Sequence, residues 1–255
     1  MMQVRNEKSR ICILLQIAVL LTLSMTGCER PYYSHSFKTD MNNTKALQVV
    51  VLTPTDVPSE LPQAEIAKQV FDTAISEKLT QAGFQVVTQD VYAEKLADVT
   101  REKGGAFDTI TGALDENKFQ ELQRAALEQI QPVTDARSLL RAKVKVVTAK
   151  FAGCDASWDG TTQELSTTIL IFCSSADMFG TVDALSLLVT LEDMDGNVFY
   201  FNGGGIQLFV KHSYGASRDG FYDVSKEELL ADQTRNRAAV DHALAPLLRG
   251  GFRQP

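Results

Sequence analysis

The sequence predicts an α+β domain, a two-layer α/β arrangement built on a mixed sheet. Three observations predict it. A strand–helix–strand pattern opens the mature chain, a meander of strands follows, and an amphipathic helix closes it. The opening unit should pair its strands in parallel with a right-handed crossover.

Residues 1–27 read as a removable leader. Arg5, Lys8 and Arg10 make a basic start, and Ile11 to Leu23 is apolar apart from Gln16 and Thr22. That run is shorter than the roughly 20 residues needed to span a bilayer. Leu23-Ser24-Met25-Thr26-Gly27-Cys28 closes it with small residues and a cysteine. Residues 28–45 carry Pro31, Tyr32, Tyr33 and Asn42-Asn43 and read as a short tether. A single domain is expected over 46–251.

Leu47-Gln48-Val49-Val50-Val51-Leu52 is a near-continuous apolar strand, as expected of a strand buried on both faces. Pro54 and Pro58 end it. Pro62 suits a first helical turn. Ile66, Val70, Phe71, Ile75, Leu79 and Ala82 follow at helical spacing, with Gly83 as the stop. Phe84-Gln85-Val86-Val87 is the partner strand. Asp90 caps a second helix carrying Tyr92, Leu96 and Val99, broken at Gly104-Gly105. Asp115 and Glu116 open a third, with Phe119, Leu122, Ala126 and Ile130 as its stripe and Pro132 as its end.

The meander begins with a long strand over Ser138–Phe151, in which Ala142, Val144 and Val146 alternate with Lys143 and Lys145. Thr167 to Phe172 is another apolar run. Asp183 to Glu192 and Val198 to Val210 flank Asp195-Gly196, a strong hairpin signal. Ser225-Lys226-Glu227-Glu228 has the form of a capping box before Leu229, Leu230, Val240, Leu244 and Leu247. Gly250-Gly251 stops this last helix, and Pro246 bends it or ends it sooner.

Several element patterns resemble known envelope proteins. The leader and Cys28 resemble the lipobox of bacterial lipoproteins, with Met25 where leucine is usual. The resemblance implies that Cys28 becomes the mature N-terminus and carries the acyl chains, palmitate among them, and that the lipid holds the protein to a membrane. Glu29 lacks the aspartate that favours inner-membrane retention, so the outer membrane, periplasmic side, is expected. Val49 to Pro54, the following helix, Ala82 to Val87, Asp135-Ala136 before the next strand, and the Asp195-Gly196 hairpin resemble a group of periplasmic domains. These are the curli-secretion lipoproteins, the activators of penicillin-binding proteins and the TolB amino-terminal domain. The resemblance spans most of residues 46–249 and implies a non-catalytic interaction or assembly module. Val198-Phe199-Tyr200-Phe201 does not alternate and Gly203-Gly204-Gly205 interrupts its strand, so pore formation does not carry over.

The whole chain has a formal charge of −7. Removal of the leader, three basic residues and one acidic, leaves 22 Lys+Arg against 31 Asp+Glu, a net −9. Such a surface disfavours nucleic acid and anionic lipid as partners. An envelope protein partner is expected, and a homo-oligomer is compatible with the sequence. No cofactor is expected. The competing classes are a small-ligand-binding protein and, behind it, a hydrolytic enzyme.

Few residues suggest chemistry. His35, His212 and His242 have no paired metal-ligand spacing. Asp193-Met194-Asp195-Gly196-Asn197 lacks the distal glutamate of a calcium loop. His212-Ser213 with Asp219 are sequence neighbours, unlike most nucleophilic sets. Gly203, Gly204 and Gly205 either admit a ligand to the backbone or mark a bulge. Cys12 leaves with the leader and Cys28 takes lipid, so Cys154 and Cys173 remain. If Cys154–Gly160 is a simple hairpin turn, Cys173 lies over 30 Å up the return strand at about 3.3 Å per residue. If the two are bridged, residues 154–173 form an excursion closed at its base. An oxidising compartment favours the bridge. Trp158 then serves as a core plug or a partner anchor.

Overall fold

A computed structural model describes residues 36–37, 47–165, 179–213 and 220–250. The chain divides into two units, Met1–Pro31 and Tyr32–Pro255, and every element below belongs to the second.

Strand β2 (Val49–Leu52) pairs in parallel with β3 (Gln85–Val87) on one side and with β4 (Ser138–Ala152) on the other. Val50, Val51 and Leu52 are fully buried. Side chains alternate across a strand, so burial at three consecutive positions requires cover on both faces, and helices supply it. Helices α1 (Ala64–Gln81) and α4 (Gln233–Gly250) pack on the face of Val50 and Leu52. Helices α2 (Gln89–Lys103) and α3 (Glu116–Thr134) pack on the face of Val51, with Tyr92, Leu127 and Ile130 around it. The domain is α+β with a mixed sheet, and its parallel end carries helices on both faces.

The antiparallel part continues from β4 through β7 (Phe179–Asp193) and β8 (Val198–Leu208) to β1 (Ser36–Phe37), giving the order β1-β8-β7-β4-β2-β3. β4 and β7 pair along their whole lengths, from Ser138↔Asp193 to Ala152↔Phe179. Asp195-Gly196 lies in the expected turn, where the Asp193 carboxylate accepts from the Asp195 and Asn197 amides. β1 falls inside the segment expected to be plain tether, pairing Ser36 with Phe201 and Phe37 with Tyr200.

β4 turns at Gly153-Cys154 into β5 (Asp155–Trp158), which pairs back on it, and β6 (Thr161–Glu164) pairs with β5. The two-residue turn between them is Asp159-Gly160, both at positive φ (36° and 76°), the geometry that suits the strand twist. This hairpin folds over β8. Gly205 N donates to Asp159 O, Thr161 Oγ1 donates to Gly205 O, and the Gln163 amide bonds Ile206 O and Leu208 N. Trp158 is buried among Ala149, Ala156, Leu165, Ala184 and Leu208 and donates to Leu185 O at 3.1 Å. It is a core plug. A separate ladder joins β9 (Val210–Ser213) and β10 (Gly220–Asp223).

Several local expectations are corrected. Ile66 is 50% exposed, and Ala64, Ala67 and Ala74 face the core in its place. α3 runs two residues past Pro132 and ends where Asp135 takes a left-handed cap (φ 54°). The expected capping box does not start α4. Ser225 to Glu228 form a turn of their own, Leu230 sits at φ 64°, and the Asp232 carboxylate accepts from Thr234 and Arg235 amides to cap the helix. Leu229 and Leu230 still reach the core. The run Thr167–Phe172 lies outside the described residues.

Pro246 lies inside α4 without ending it. Having no N–H, it leaves the carbonyl four residues earlier without its helical donor. That carbonyl is His242 O, and buried Asn202 of β8 donates to it at 3.1 Å and to Ala243 O at 3.1 Å. The Tyr200 hydroxyl also donates to Ala243 O. Leaving such a buried carbonyl unpaired costs about 1–3 kcal/mol, so Asn202 and Tyr200 fasten α4 to the sheet at the point where proline opens it.

Candidate functional site

Among the described residues singled out in the sequence, Gly205 and His242 meet, both bonded to Thr161 Oγ1 and both lining a cleft of about 910 Å³. Gly203, Gly204 and Gly205 are packing positions. A Cβ on Gly203 would lie 2.7 Å from the Asp159 carboxylate, and one on Gly205 2.7 Å from Trp158 Nε1. On the other face, a Cβ on Gly204 would overlap the Ala239 carbonyl of α4. The pairing slips between Leu185 and Ser186, with Ser186 opposite Gly205 and Leu185 opposite Gln207, so a bulge does sit beside the run. His212 is buried, edge-on to Phe221 at 4.9 Å. His242 Nδ1 is 2.9 Å from Thr161 Oγ1. His35, Asp219 and the side chain of Ser213 lie outside the described residues, as does Cys28.

Cys154 stands at the base of the β5–β6 excursion, where Leu165 N donates to its carbonyl at 2.6 Å. The simple-hairpin alternative is replaced by a β5–β6 excursion closed at its base over residues 154–165. Cys173 lies outside the described residues. A Cys154–Cys173 bridge would close a loop of about 20 residues and contribute roughly 3 kcal/mol. The expected result is that alkylation of the unreduced mature protein adds no label at these positions, and that reduction adds two. Two labels before reduction would rule the bridge out.

No sequence signal marked the other cleft that gathers polar groups. It has a volume of about 920 Å³ and opens beyond the carboxyl end of β2, between α2–α3 and the start of β4 with the end of β7. Tyr92 and Leu96 come from α2, and Phe119, Gln120 and Gln123 from α3. Arg141 and Lys143 project from alternate positions of β4, Lys143 being one of the two lysines in its expected alternation.

A polar cluster forms the floor. Arg141 Nε donates to Glu192 Oε1 at 2.6 Å, and Arg141 Nη1 to Gln123 Oε1 at 3.3 Å. The Glu192 side chain is only 15% exposed. The Tyr92 hydroxyl is buried with the Arg141 and Gln123 side chains bearing on it, yet neither stands within full hydrogen-bond geometry. Burial pushes its acidity down, that is, its pKa up, against the pull of the Arg141 charge, so the phenol keeps its proton. Lys143 is shifted the opposite way, downward, by burial and then by neighbouring Lys145, with Asp56 opposing. The wall holds three cations, Arg124, Arg141 and Lys143. Against them stand Asp56, Glu116, Glu192, Asp193 and Asp195.

A second surface is apolar. Val146 is 57% and Phe221 51% exposed, and Val182, Phe209 and Val210 join them around a shallow hollow of about 440 Å³. Val146 lies on the face that α4 covers at Ala142 and Val144 but does not reach here. Phe221 leans on Phe151 at 5.8 Å, and the Phe151 ring in turn lies over Gly180 directly across the ladder. Among the described residues no group of three metal-ligating side chains is present, and no helix is long and apolar enough to cross a membrane.

No protein-family profile matches the chain, and no curated protein does. Among solved structures, the PelC dodecamer from Paraburkholderia phytofirmans is similar at 12% identity and a TM-score of 0.34, over 88% of this chain and all of that one. A single-substitution variant of that PelC is similar at 10% identity and 0.33, over 85% of this chain and 98% of its own. At that level of similarity no role passes from them to this chain.

Proposed function

We propose that this is a lipid-anchored envelope protein, facing the periplasm from the outer membrane, whose domain is a non-catalytic interaction module for another envelope protein. The leader ending at Cys28 supports the anchor. The observation that carries the docking role is the apolar patch around Val146, Phe209, Val210 and Phe221, because half-exposed aromatic and β-branched residues grouped on one surface mark contact sites. The chain itself limits where the partner lies. Eight Cα steps separate Cys28 from Ser36 of β1, at most about 28 Å at roughly 3.5 Å each, so the domain works close to the lipid.

Two measurements test this. Cys28→Ala should move the protein from the membrane to the soluble fraction, and retention on the membrane would defeat the anchor. A photo-crosslinking residue at position 221 should give one discrete heavier product in intact cells, of a mass that separates a foreign partner from a second copy of this chain. If position 221 yields no product while the protein is folded and anchored, the docking role fails.

A further inference from the structure

We propose that the cleft between α2–α3 and the β4–β7 face binds a small zwitterion, an amino acid or short peptide, with its carboxylate on the floor formed by Tyr92, Gln123, Arg141 and Lys143. This goes beyond the docking role, which uses other residues.

The bonds left unspent on that floor are donors. Arg141 gives Nε to Glu192 and one Nη1 bond to Gln123, which leaves N–H groups of its other terminal nitrogen. Gln123 accepts through Oε1 and keeps its NH₂. The Tyr92 hydroxyl faces the Arg141 and Gln123 side chains without reaching full hydrogen-bond geometry to either, and Lys143 lies in no ion pair among the described residues. Donors of Tyr92, Gln123 and Arg141 that remain in one cluster, with Lys143 on the same wall, call for an acceptor with several lone pairs, and a carboxylate has about four. A polyanion is disfavoured, because acids outnumber bases on the wall. The acids that remain unspent, Asp56, Glu116 and Asp195, are exposed at the rim, where an ammonium would meet them. Asp193 is excluded from this role because its carboxylate is consumed by the Asp195 and Asn197 turn. Leu96 and Phe119 offer hydrocarbon between the two polar ends. The volume lies within the range of small-molecule sites.

Glycylglycine and its C-terminal amide separate the carboxylate from the rest of the ligand. Titrated into the detergent-solubilised full-length protein and followed by amide chemical shifts, glycylglycine should shift the Gln123 side-chain amide and the backbone at 92 and 141–143, and saturate. Glycylglycinamide should bind at least about ten-fold more weakly, since it loses a charge-assisted contact. Tyr92→Phe keeps the ring in the core and should weaken glycylglycine at least about ten-fold, the value of one hydrogen bond to a charged group. Lys143→Gln, at a half-exposed strand position, should weaken it as well without disturbing the fold. The proposal is overturned if no saturable shift occurs in the cleft, if the amide binds as well as the acid, or if Tyr92→Phe binds as the native protein does.

Discussion

Gly204→Ala should lower stability by about 3 kcal/mol or more, at or beyond the top of the usual range for overpacking. The added carbon would fall on the Ala239 carbonyl and within 2.9 Å of Ala243 N, both backbone atoms of α4. A side chain could rotate away from such a clash, whereas a helix backbone must move as a body. α4 cannot move freely, because Asn202 and Tyr200 bind its carbonyls and Val240, Ala243 and Leu244 are fully buried against the sheet. For a domain of this size each kcal/mol lowers Tm by about 2–4 °C, so a fall near 10 °C is expected. Gly105→Ala supplies the control, since nothing lies within 4 Å of its added carbon, and it should stay within about 0.5 kcal/mol of the native protein. Urea unfolding of the two variants decides the matter. A Gly204→Ala midpoint equal to that of Gly105→Ala would show that α4 does not rest on β8 as described.

Arg141→Met should cost about 2 kcal/mol. It strands Glu192, whose side chain is 15% exposed, and frees Gln123 of α3 from the sheet. Breaking a fully buried pair costs about 3–5 kcal/mol, and the 35% exposure of Arg141 reduces that through solvent screening. Removing both charges is a different experiment. Arg141→Met with Glu192→Met leaves no stranded ion and should recover most of the loss, because hydrophobic replacement of buried pairs is often neutral. The double-mutant cycle should therefore give a coupling of about 1–3 kcal/mol. Additive losses would mean that the two side chains do not act on one another in solution.

The sequence made the backbone plan legible where a single local signal sufficed. The unbroken Val49–Leu52 run announced a strand covered on both faces, Gly83 and Gly104 marked helix ends, and Asp195-Gly196 marked its turn. Other features depend on partners remote in sequence. Pro246 reads as a break until Asn202, 44 residues earlier, supplies the donor that the His242 carbonyl lacks. Gly203 to Gly205 read as a ligand platform or a kink, and only the meeting of α4 on one face with the β5–β6 hairpin on the other explains three glycines in a row. The Ser225–Glu228 box competes with Asp232, and burial of Leu229 and Leu230 in a turn settles which one caps the helix. The cleft was invisible for the same reason. Tyr92 reads as a core residue of a helix stripe, and its buried hydroxyl acquires meaning only beside Arg141, 49 positions away along the chain.

The outer edge of β8 is covered in two pieces, by Ser36–Phe37 at Phe201 and Tyr200, and by Asp159, Thr161 and Gln163 from Gly205 to Leu208. Both covers precede β8 in the chain. Because synthesis is vectorial, N-terminus first, the Gln163 amide and the Asp159 turn exist before the strand they cover has been made. A nascent β8 therefore meets its own lids at high local concentration, ahead of any strand from a neighbouring chain. The order of segments along the polypeptide thus acts as a timing device against edge-to-edge aggregation, one that would be lost on circular permutation between β6 and β7 even though every contact of the finished fold were kept.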